Sequence, residues 1–78
     1  MKEVKKMKKC IIALSSINYA LKSERVLKNE NIYTRIIKLQ PNRTKNGCAY
    51  GLETECADIP YALSFLDNAG IRYSEVLR

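Results

Sequence analysis

The stretch Cys10-Ile11-Ile12-Ala13-Leu14-Ser15-Ser16 decides the fold. Five apolar residues in a row, without polar alternation, read as a strand buried on both sides and therefore central in its sheet. The two serines offer an N-cap. From Ile17 to Glu30 the pattern becomes helical, with Ile17, Ala20, Leu21, Glu24 and Leu27 near one stripe. Asn31 stands where a left-handed residue would end that helix, and asparagine tolerates this conformation.

Working outward, Ile32 to Leu39 is β-branched and aromatic with Arg35 and Lys38 interspersed, the pattern of an edge strand. Gln40-Pro41-Asn42 breaks it, and a loop continues to Gly47. Cys48 to Cys56 is the next strand. Cys48, Tyr50, Leu52, Thr54 and Cys56 share one side of it, expected to be the core side, while Ala49, Gly51, Glu53 and Glu55 share the other. Asp58 caps a second helix that has Pro60 in its first turn; Tyr61, Ala62, Phe65, Leu66 and Ala69 form its apolar stripe, and Gly70 ends it. Arg72 to Leu77 is a last short strand.

The order is β-α-β-β-α-β, and the halves echo one another: Asn29-Glu30-Asn31-Ile32 corresponds to Asn68-Ala69-Gly70-Ile71. Two split β-α-β units with right-handed crossovers predict an α+β, ferredoxin-like sandwich, a four-stranded antiparallel sheet with two helices on one face. The other face is left open, and a second copy covering it, a homodimer, is expected.

The 78 residues suffice for one domain, assigned to residues 10–78 behind a lysine-rich tail at residues 1–9. No apolar run approaches the length of a membrane span or an export signal, so a cytoplasmic protein is expected. Residues 1–45 carry a net charge of +9 and residues 46–78 one of −3. Such asymmetry suits an acidic partner, nucleic acid or a membrane surface, or is simply a solvated lysine tail, and Glu53 and Glu55 on the expected open face would repel phosphate, which disfavours nucleic acid. Tyr19, Tyr33, Tyr61 and Tyr73 are expected to pack half-buried.

There is no histidine, which removes the commonest general base and metal ligand, and the three cysteines lack zinc-ligand spacing. No metal or other cofactor is expected. In the absence of an export signal the cysteines read as reduced thiols. Cys10 and Cys56 fall together at one edge of the sheet as buried, inert thiols. Cys48 falls at the opposite edge, roughly 8 residues or about 26 Å away. There the topology places it near Ser15, Ser16 and the positive end of the first helix. With Arg43 and Lys45 upstream, that setting favours a thiolate, and Gly47 leaves room for another molecule. The alternative for Cys48 is a small packing residue at a strand start.

The residues from Cys10 to Leu77 resemble the family of small selenium/sulfur carrier protein-like domains. The resemblance rests on the apolar strand ending in serine, the Ala20-Leu21-Lys22 helix start and the Leu27…Ile32 exit. It continues through a Pro-containing loop, one cysteine at the next strand, and the closing Leu66…Ala69-Gly70-Ile71-Arg72-Tyr73 segment. Many members have Cys-Gly where this chain has Gly47-Cys48-Ala49. The resemblance implies that Cys48 is a carrier atom. It would take sulfur or selenium from a cysteine desulfurase-like or selenium donor protein as a persulfide or selenosulfide and pass it on, without being a turnover enzyme. Arg43 and Lys45 would hold the anion, and Ser15 and Ser16 would donate hydrogen bonds. The competing expectation is a non-catalytic, dimeric interaction or regulatory module in which Cys48 only packs.

Overall fold

The computed structural model describes residues 8–40, 42, 44 and 47–77. The elements run β1 (Lys9–Leu14), α1 (Ile17–Asn29), β2 (Arg35–Lys38), β3 (Tyr50–Glu55), a 3-10 turn (Cys56–Asp58), α2 (Ile59–Asn68) and β4 (Glu75–Leu77). The strands form one antiparallel sheet in the order β2-β3-β1-β4. β1 is central, as its unbroken apolar run demands, and β2 is an edge. This is the α+β, ferredoxin-like arrangement expected.

The two helix exits are the same device used twice. Asn31 (φ 63°) and Gly70 (φ 74°) adopt the left-handed conformation. In each case the following isoleucine reaches back: the Ile32 N–H donates to Leu27 C=O, and the Ile71 N–H to Leu66 C=O, both at 2.9 Å. Asn31 and Gly70 themselves donate to Lys28 and Asp67 at 3.0 Å. This pair of bonds satisfies carbonyls that the helix leaves open and drives the isoleucine into the core beside the leucine it bonds. All four of these apolar residues belong to the main core cluster.

That core lies between the helices and one face of the sheet. Ile12, Leu14, Leu52 and Cys10 meet Ala20, Leu27, Ile59, Ala62 and Leu66 there. The stripe expected on α1 is rotated in the structure. Ala20, Ser23 and Leu27 are buried, whereas Ile17 and Leu21 are exposed. The reason is size: alanine and serine let the helix lie close to the sheet, and the Ser23 hydroxyl is satisfied by donating to Tyr19 C=O at 2.7 Å. On α2, Ala62 and Leu66 face inward as expected, joined by Ile59, while Tyr61 is exposed. Tyr33 (73% exposed) and Tyr61 (64%) are surface residues rather than half-buried packing.

Cys10 and Cys56 are not separate thiols; they form a disulfide with Cα atoms 4.9 Å apart. The ladder explains the pairing. Cys10 lies opposite Thr54, so Cys56 is its diagonal neighbour on the same face. Flat diagonal neighbours stand about 7–8 Å apart. The 3-10 turn that begins at Cys56 closes this gap, with the Cys56 N–H donating to Lys8 C=O at 3.0 Å.

Among the described residues, no helix is long and apolar enough to cross a membrane.

Candidate functional site

Cys48 is the one cysteine left free among the described residues. It sits just before β3, where the chain returns from the loop after β2. Gly47 (φ 67°) turns the backbone, and its N–H donates to Thr44 C=O at 3.4 Å. The Cys48 N–H donates to Thr44 Oγ1 at 2.6 Å. On the far side, the Leu39 N–H donates to Ala49 C=O at 2.7 Å and ties the loop to the end of β2. Thr44, Leu39 and Cys48 are all buried, so the cysteine is clamped at its backbone.

Its side chain lies on the face opposite to the one expected. Tyr50, Leu52 and Thr54 do turn toward the helices, but Cys48 packs with Ala13 and Leu39, against Ile11, Ile37 and Leu77. The alternation of side chains holds only along the ladder, which begins at Tyr50; residues 47–49 precede it and follow the turn instead. Cys48 is 4% exposed and packs among aliphatic side chains.

The other expected site residues divide into three groups. Ser15 and Ser16 lie off the same end of the sheet as Cys48, since the last β1–β3 pair is Leu14 with Tyr50. Ser16 is committed to capping α1, where its Oγ accepts the Tyr19 N–H at 3.3 Å. Gly47 is exposed, and beyond its chain neighbours no atom of the described residues lies within 4 Å of where a Cβ would stand. Arg43 and Lys45 lie outside the described residues. Thr44 was not singled out by sequence reasoning; a threonine four residues before a cysteine, in a loop closed by glycine, was the available signal.

No group of three or more histidine, cysteine, aspartate or glutamate side chains among the described residues is arranged to hold a metal ion.

No curated protein and no solved structure matches the chain. A family model does match, across residues 9–78, which spans every strand and helix described above. The chain therefore belongs to the family described as "Putative Se/S carrier protein-like".

Proposed function

We propose that the protein is a sulfur or selenium carrier and that Cys48 is the atom loaded. The observation that carries this reading is that Cys48 remains a free thiol in a family named for such carriage, while the other two cysteines are bonded to each other. The Cys48 sulfur attacks the terminal sulfur of a donor persulfide. A new S–S bond forms to Cys48, the donor's S–S bond breaks, and the donor leaves as its thiol. A cysteine desulfurase-like protein is the donor for sulfur, and an analogous selenium-charged protein for selenium.

Burial sets a condition on this chemistry. The packing around Cys48 must open before a donor reaches the sulfur. Among the described residues, the backbone there is held by the Cys48 N–H donating to Thr44 Oγ1 and the Gly47 N–H donating to Thr44 C=O. Loading accordingly depends on the donor or on spontaneous local opening around the buried cysteine. Incubating the oxidised protein with a desulfurase and cysteine, followed by intact mass and peptide mapping, tests the assignment. One added sulfur on Cys48, absent from Cys48→Ala, is expected. No adduct, or the same adduct in Cys48→Ala, overturns it.

The aliphatic cluster around Cys48 favours a second reading. In it the cysteine packs on the uncovered sheet face of a dimeric interaction module. A Cys48→Ala protein that keeps its oligomeric state and all cellular function selects this reading over the first.

A further inference from the structure

The helix α1 and the outer side of β2 form an open groove of about 760 Å³, lined by Leu21, Glu24, Arg25, Lys28, Tyr33 and the Thr34–Ile36 segment. It continues past Leu21 and Arg25 into a shallower stretch bounded by Lys22, Tyr19 and Ser16. Three features converge there. Leu21 is 48% exposed and Tyr33 is 73% exposed, so apolar surface is on offer. β2 is the terminal strand of the sheet, with no strand on its outer side among the described residues. The α1 side carries Lys22, Arg25 and Lys28 against the single acid Glu24 among the lining residues.

We propose that this groove is a docking site for an extended acidic peptide segment of a partner protein. The segment pairs with the outer edge of β2 as an added strand, which supplies main-chain hydrogen bonds without sequence demands. Its alternate side chains then point to the groove, where an apolar residue rests on Leu21 and Tyr33 and carboxylates meet Arg25 and Lys28. The cations argue for an acidic segment, and the exposed edge argues for an extended one rather than a helix. The groove passes from the disulfide end of the sheet toward Ser16, the end at which Cys48 lies. A partner held there is brought toward the end of the sheet at which Cys48 lies, yet the docking itself stands whether or not Cys48 carries sulfur.

The test uses the full chain and a fluorescein-labelled decapeptide with glutamate and valine taking turns at the odd positions and serine at the even ones, so that both kinds of side chain fall on one face, read by anisotropy. Saturable binding is expected, weakened about tenfold by Arg25→Glu with Lys28→Glu and several-fold by Leu21→Ser. These side chains line an open groove outside the core cluster, so the variants are expected to fold, and a thermal melt checks that they do. Amide shifts in the ¹⁵N-labelled protein are expected over 21–28 and 33–38. Equal affinity for the glutamine-for-glutamate peptide overturns the proposal, as do shifts confined to residues 1–9. A single-stranded oligonucleotide that binds the groove more tightly than the peptide overturns it in favour of a nucleic-acid surface.

Discussion

At the scale of single residues, Thr44 matters more than its place in a polar loop suggests. Its Oγ1 accepts the Cys48 N–H while both residues are buried. Thr44→Val keeps the shape and removes the acceptor, leaving a buried donor unpaired. The expected loss is about 1–3 kcal/mol, read from the denaturant midpoint, with Thr44→Ser close to the parent. The same variant should be alkylated at Cys48 faster than the parent, because the bond that fixes the cysteine's backbone is gone. An unchanged alkylation rate means that this bond does not limit access to the sulfur. Cys48 was legible in the sequence as the cysteine set apart from the other two. Its face was not, because period-two reasoning was carried back through residues that the turn at Gly47 removes from the ladder. The bond between Cys10 and Cys56 was hidden for a related reason: spacing placed them at one edge, but the 3-10 turn that brings the sulfurs together leaves no period in the sequence.

At the scale of elements, the helix ends were the most readable part of the chain, since Asn31 and Gly70 each mark a left-handed exit followed by isoleucine. Gly70→Ala should cost about 1–2 kcal/mol for placing a Cβ in that conformation, although nothing within 4 Å obstructs it. A thermal melt equal to the parent's would show that the exit relaxes instead. Strand lengths were less readable. β2 is Arg35–Lys38 rather than Ile32–Leu39 because Ile32 is consumed in the helix exit, and the Tyr33 carbonyl accepts the Thr54 hydroxyl at 2.9 Å instead of a ladder N–H. Gly51 shows how tightly the open face is filled at its centre. A Cβ there would meet Ile11 Cγ2 at 2.5 Å and Leu39 Cδ1 at 3.0 Å. Ile11 is branched at Cβ and cannot swing away cheaply, so Gly51→Ala is expected to lower stability by about 1–3 kcal/mol. Pairing it with Ile11→Val should not relieve the clash, because valine keeps that methyl, whereas Ile11→Leu should.

At the scale of the whole molecule, two features govern stability and association. The Cys10–Cys56 bridge spans a sequence separation of 46 residues. Closing a loop of that length removes unfolded-state entropy worth about 4 kcal/mol at 25 °C in the chain-entropy account. Reduction should therefore shift the denaturant midpoint strongly, and Cys10→Ser with Cys56→Ser should match the reduced parent. The uncovered face is the second feature. Ile11, Ala13, Ile37, Leu39 and Leu77 lie on it, and no helix of the described residues packs there. Its footprint follows from strand geometry: six residues at about 3.3 Å along the strands and three spacings of about 4.8 Å across them give roughly 300 Å². A stable interface takes about 800 Å² from each partner. A dimer formed through this face alone should thus be weak and reversible, with an apparent Kd on the order of 10–100 μM. Sedimentation equilibrium across that range should show a monomer–dimer exchange with little salt dependence, since the contact is apolar. Ile37→Lys should abolish it without unfolding the chain, because Ile37 is only half-buried. A tight dimer that survives Ile37→Lys would place the contact elsewhere, and the groove beside β2 would then be the surface to disrupt next.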